Sequence, residues 1–163
     1  MKNCLRQFGL GLLILACVGC AALAQQSPQL EFADDLAALG KLSGARKTPI
    51  MLVFTQPDCS YCISAKKDHL ERMRVSRNYG AKVIMREIEA GNDNLALRDF
   101  EGNPTTHGAL ARKYDVRSVP TVIVVDAHGK PLTNPVIGLT APDFYDLYLE
   151  QAIDAGRVQL RHR

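Results

Sequence analysis

Ile50-Met51-Leu52-Val53-Phe54-Thr55-Gln56-Pro57-Asp58-Cys59-Ser60-Tyr61-Cys62 carries three signals in succession. Residues 50–54 are apolar without alternation, as in a strand covered on both faces. Gln56-Pro57-Asp58 is a break. A Cys-x-x-Cys pair then opens residues 60–77, where Cys62, Ala65, Lys66, His69, Leu70 and Met73 fall on one side of a helix. Backbone N–H groups at a helix start point outward, and the helix dipole is positive there. A thiolate at Cys59 is stabilised in that position and becomes a nucleophile. Cys62 lies about one turn further on, close enough to close a small disulfide or to resolve a mixed disulfide formed at Cys59.

Other uses of two cysteines carry less. A cross-link over so short a loop gains little chain-entropy stabilisation. Zinc takes about four ligands, and His69, His107, His128 and His162 match no ligand spacing. Two thiolates do suffice for Cu(I), so a copper-holding site is the alternative to redox chemistry.

Outward from this pair, the N-terminus reads as an address. Lys2 and Arg6 precede an uncharged run from Phe8 that ends in Ala22-Leu23-Ala24. Basic start, apolar middle and small-residue end describe a secretory signal peptide over residues 1–24. The run is shorter than the ~20 residues of a spanning helix; an uncleaved anchor is the alternative. Ile14-Leu15-Ala16-Cys17 and Cys17-Val18-Gly19-Cys20 also raise a lipid-anchored variant through Cys17 or Cys20. Loss of Lys2 and Arg6 lowers the formal charge from +3 to +1, and leaves Cys59 and Cys62 as the only cysteines of residues 25–163. An exported protein meets an oxidising compartment, where a retained thiol pair calls for a purpose.

Composition narrows the rest. The 163 residues suit one domain, here residues 25–163. Hydrophobic residues at 47% and charged ones at 23% exclude a disordered tail or a fibre. The even charge balance and the absence of Trp argue against nucleic acid as a partner. Helical periodicity covers residues 30–42, with Ser27-Pro28 as a start signal, and a second strand covers 82–88. Residues 90–104 read as loop with one helical turn near 95–100. Thr105 or Thr106 caps a short helix through Tyr114. A strand at 119–125, a turn at Asp126-Ala127-His128-Gly129 and a short strand at 136–138 follow. The last helix starts at Thr140, Pro142 and Asp143 and runs to about Ala155, with residues 157–163 a frayed or solvated end. The order gives an α/β fold: a mixed central sheet of about four strands with helices on both faces.

Three segments now carry a resemblance. They are Val53-Phe54-Thr55-Gln56-Pro57-Asp58-Cys59-Ser60-Tyr61-Cys62, then Tyr114-Asp115-Val116-Arg117-Ser118-Val119-Pro120-Thr121, then Asp126-Ala127-His128-Gly129-Lys130. On these the chain resembles the thioredoxin-fold family over about residues 30–155. It is most similar to exported bacterial thioredoxin-like proteins, including those of sulfur-oxidation systems. Val53-Phe54-Thr55 with C-x-Tyr-C also resembles the catalytic domain of periplasmic disulfide isomerases.

The resemblance implies a periplasmic thiol–disulfide oxidoreductase without organic cofactor or resident metal. Cys59 would be the attacking thiolate, Cys62 the resolving thiol and Pro120 a cis-proline facing them. Val119 would offer backbone hydrogen bonds to substrate. Tyr61 reads as exposed beside the sulfur, either contacting substrate or merely covering the helix start. The implied partners are a disulfide-bearing protein substrate and a membrane thiol electron donor. Without room for a dimerisation domain, a monomeric reductase is expected over an isomerase. Two departures stand out. Cytoplasmic thioredoxins carry a buried Asp six residues before the first Cys, where this chain has Val53, and the dipeptide is Ser60-Tyr61 rather than Gly-Pro. Asp58 opposes a thiolate at Cys59, while Lys66 and Lys67 favour one. His69 reads as a helix-face residue, and Asp99, Glu101 and His107 as a solvated loop, with the shaping of a partner surface as the alternative.

Overall fold

A computed structural model describes residues 29–162; the expected signal peptide, with Cys17 and Cys20, lies outside the described residues. The first helix, α1 (Leu36–Arg46), leads into β1 (Ile50–Thr55). The cysteine pair opens α2 (Ser60–Ser64), which continues through a π-helical turn (Ala65–Leu70) into α3 (Glu71–Val75) and α4 (Arg77–Gly80). Then come β2 (Ile84–Glu89), a small hairpin of β3 (Ala96–Arg98) and β4 (Pro104–Thr106), and α5 (His107–Lys113). β5 (Thr121–Val125), β6 (Val136–Ile137) and α6 (Pro142–Arg161) complete the order.

The sheet runs β2-β1-β5-β6. β1 pairs parallel with β2, placing Val53 beside Glu87, and antiparallel with β5. All six residues of β1 are buried, as expected of a strand covered on both faces. Side-chain alternation divides its core. Met51 and Val53 pack with Ala65, Leu70, Met73, Tyr145 and Leu149. Ile50, Leu52 and Phe54 pack on the other face with Leu36, Leu39 and Leu110. Among the described residues no helix is long and apolar enough to cross a membrane.

Four local expectations are corrected. The first helix starts at Leu36, because the Asp35 carboxylate accepts the Ala38 N–H at 2.7 Å and caps it. Residues 31–33 instead run extended beside β2, where the Glu87 N–H donates to Glu31 O and the Ala33 N–H to Glu87 O. Residues 95–100 hold β3 rather than a helical turn. The helix after the cysteine pair breaks at Ser76, whose backbone is extended and whose hydroxyl caps α4 by accepting the Asn78 N–H at 3.3 Å. Finally, α6 has Ala141 as N-cap, with no bond from Thr140, and extends to Arg161 rather than Ala155.

Candidate active site

The end of β1 aims the chain at the site. Cys59 is the N-cap of α2 with an extended backbone, and its Sγ accepts the Cys62 N–H at 3.0 Å. The two cysteines form a disulfide. Cys62 is fully buried, whereas Cys59 is partly exposed. Of the two sulfurs, Cys59 is therefore the accessible one.

Val119 and Pro120 face the pair from the head of β5. Their peptide bond is cis, and the Val119 carbonyl O stands 3.9 Å from Cys59 Sγ. Two hydrogen bonds hold this loop. The Thr121 hydroxyl donates to Ser118 O at 2.8 Å, and the Gly138 N–H donates to Pro120 O at 2.7 Å. Gly138 has φ +73°, a conformation that glycine adopts without steric cost. Tyr61 is 65% exposed and lines a cleft of about 390 Å³ with Val119, Pro120 and Leu139. The structure thus brings Cys59, Cys62, Val119 and Pro120 together and places Tyr61 at the rim.

A second groove, of about 600 Å³, opens on the other side of Cys59. Asp58, Glu89 and Asp93 line it. Arg112 pairs with Asp93 at 2.9 Å, and that hydrogen bond holds the Asp93 carboxyl below its ordinary value. Lys66 is engaged by a buried acid: its Nζ bonds Glu87 Oε1 at 2.8 Å. The opposing signs read from Asp58 and Lys66 are thereby separated in space. An acid stays at the mouth and the cation goes to the floor.

Glu87 was missed in the sequence. It is 4% exposed, accepts the Thr55 hydroxyl at 2.6 Å and pairs with Lys66. It sits beside Val53 in the sheet register. A buried carboxylate is therefore present after all, on the neighbouring strand. The available signal was an acid inside the strand pattern Ile84-Met85-Arg86-Glu87-Ile88, on the same face as Met85.

His107 also differs from expectation. It is buried, not solvated. Its Nδ1 accepts the Glu89 N–H at 3.0 Å, and its Nε2 donates to Ala33 O at 2.8 Å. Those partners fix the neutral tautomer, and burial holds the imidazole below its usual pKa. His69 lies on the helix face, its Nδ1 2.8 Å from Asp146 and its ring edge against Tyr145. Asp99 turns the β3–β4 hairpin by accepting the Glu101 and Asn103 N–H groups. Among the described residues no group of three or more His, Cys, Asp or Glu is arranged to hold a metal ion.

A family model described as a thioredoxin-like domain matches residues 37–153. Among solved structures, a DsbH oxidoreductase is 23% identical with a TM-score of 0.56, covering 81% of this chain and 92% of its own. Mitochondrial thioredoxin 3 from Saccharomyces cerevisiae, in its oxidised form, is 15% identical with a TM-score of 0.51, covering 77% and 93%. Thioredoxin F from spinach chloroplast is 18% identical with a TM-score of 0.52, covering 82% and 98%. These likenesses share the fold. No curated protein sequence matches the chain.

Proposed function

The chain belongs to the thioredoxin-like family and is a thiol–disulfide oxidoreductase of the CxxC type, and we propose that it reduces or isomerises protein disulfides in the periplasm. One observation carries this reading: a closed Cys59–Cys62 disulfide whose exposed sulfur caps a helix and faces the carbonyl before a cis-proline.

In the reduced enzyme, the Cys59 thiolate attacks one sulfur of a substrate disulfide. A Cys59–substrate disulfide forms, and the other substrate sulfur leaves as thiolate and takes a proton from solvent. Cys62 then loses its proton and attacks Cys59 Sγ. The intramolecular disulfide re-forms, the second substrate sulfur leaves, and two electrons have passed to the substrate. The Val119 carbonyl and the rim at Tyr61 hold the substrate chain during the exchange. A thiol donor at the membrane must then return two electrons. In isomerisation, a substrate thiolate displaces Cys59 and no donor is needed.

The acidic mouth supports the reducing direction. Strong oxidants of this chemistry owe their potential to a stabilised reduced form. Asp93 is compensated by Arg112, but Asp58 and Glu89 oppose negative charge on Cys59, which favours the disulfide and makes the dithiol a better electron source. The signal peptide read from residues 1–24 supports export. Insulin reduction driven by a chemical dithiol tests the activity: wild type turns over, and Cys59→Ser does not. Normal turnover by Cys59→Ser would overturn the assignment.

A further inference from the structure

One face of α6 takes no part in the site or the core. Its inward side buries Tyr145, Leu149, Ala152, Ile153 and Gly156. At 3.6 residues per turn, Phe144, Leu147, Tyr148, Gln151, Ala155 and Val158 form a second stripe turned away from that core. All six are exposed, Phe144 by 57% and Leu147 by 45%. Large apolar side chains gathered in one row mark an interaction surface, where scattered ones do not.

The flanking charges say what covers it. The acids in the middle of α6 are already held by their own chain. Asp146 pairs with His69, Glu150 bonds Tyr79, and Asp154 is shared between Lys82 and Arg157. Asp143 in the first turn and Arg161 in the last have no charged partner among the described residues. Both are exposed. They are opposite in sign and stand at opposite ends of the stripe.

We propose that this face binds a second copy of the chain, the two α6 helices lying antiparallel about a two-fold axis at Gln151. Such an interface is self-complementary. It sets Phe144 against the partner's Val158, and Leu147 with Tyr148 against the partner's Ala155, so large side chains meet small ones. Gln151 meets its own copy. Arg161 comes level with the partner's Ala141, about 3 Å along the axis from the partner's Asp143 and within reach of its carboxylate, and Asp143 meets the partner's Arg161 in the same way. A parallel pairing would set like charges together instead.

A helix of 20 residues is about 30 Å long, so the pair buries close to the ~1,000 Å² that a specific interface needs. An interface at this low end of the size range is expected to be reversible. This departs from the monomer expected from chain length. Leu139 and Thr140 line the cleft beside Tyr61 and directly precede α6, so the two clefts lie at opposite ends of the helix pair.

Sedimentation velocity on the purified protein, from about 1 to about 300 μM, tests the pairing. The expected result is a dimer fraction that rises with concentration. Leu147→Glu, at an exposed position, should leave the far-UV spectrum unchanged and the chain monomeric. Arg161→Asp should raise the dissociation constant about tenfold or more, and adding Asp143→Arg should restore it. A wild-type chain that stays monomeric throughout overturns the proposal, including one that instead cosediments with anionic phospholipid vesicles. So does a dimer indifferent to Leu147→Glu, or a charge swap that restores nothing.

Discussion

Cys59 and Cys62 stand three residues apart, yet the mouth and the floor of the site are built differently. The mouth gathers loop ends from three elements: the turn after β1, the end of β2 and the cis-proline loop before β5. It is open, and acids line one side of it. The floor is sheet and helix, with Cys62 buried and Glu87, Thr55 and Lys66 closing a polar cluster beneath. Identical side chains thus acquire different duties from their surroundings. The sulfur at the mouth is open to solvent in part, and the sulfur over the floor is buried against its neighbour.

The largest expected effect comes from removing each sulfur in turn. Cys59→Ser should reduce insulin turnover to background. Cys62→Ser should keep the attack and accumulate mixed disulfides, visible as substrate-sized mass additions on intact protein that reductant removes. Trapping by Cys59→Ser rather than Cys62→Ser would reverse the asymmetry between mouth and floor.

The floor comes next. Glu87→Ala strands the part-buried Lys66 ammonium and the Thr55 hydroxyl. A loss of about 2 to 3 kcal/mol is expected, measured from the denaturant midpoint. Glu87→Gln keeps a partner for Thr55 and should cost less. Equal stability of all three proteins would show that water already reaches this cluster.

A smaller effect concerns the wall of the mouth, where His107 holds the Glu89 N–H. Burial lowers its pKa in the folded chain, so the unfolded chain binds the proton first, near pH 6.5. Stability from this group is complete above that pH and is lost as pH falls towards the lower folded value. His107→Gln, which can keep both hydrogen bonds, should flatten the slope of stability against pH in that window. An unchanged slope would remove the histidine from the account of the mouth.

The smallest effect lies at the rim. Tyr61→Ala should raise KM a few-fold for a protein substrate and leave kcat nearly unchanged, because the exposed ring offers binding area without touching the exchange. A fall in kcat at constant KM would place the ring closer to the chemistry than the rim.

How much of this was legible follows from where each signal sits. β1, the CxxC helix start and the Val119-Pro120 strand head are written in consecutive residues, and local pattern suffices to place them. The hairpin of β3 and β4 escaped because three-residue strands with Leu97 as their one buried residue show no periodicity. The Asp35 cap was obscured by Phe32 and Ala33, whose apolar spacing fits a helix although they lie extended beside Glu87. Glu87 and His107 were illegible for another reason. The partners of Glu87 lie 32 and 21 residues away, and Ala33 lies 74 residues from His107. Their burial is a property of the assembled sheet.

The reduction potential tests the redox assignment most directly. The purified protein would be equilibrated in graded glutathione buffers and its free thiols at Cys59 and Cys62 counted. A two-electron couple near the thioredoxin value of about −270 mV is the expected result for an acidic mouth and a reducing role. A value near about −120 mV, or a pair that never cycles, would contradict it.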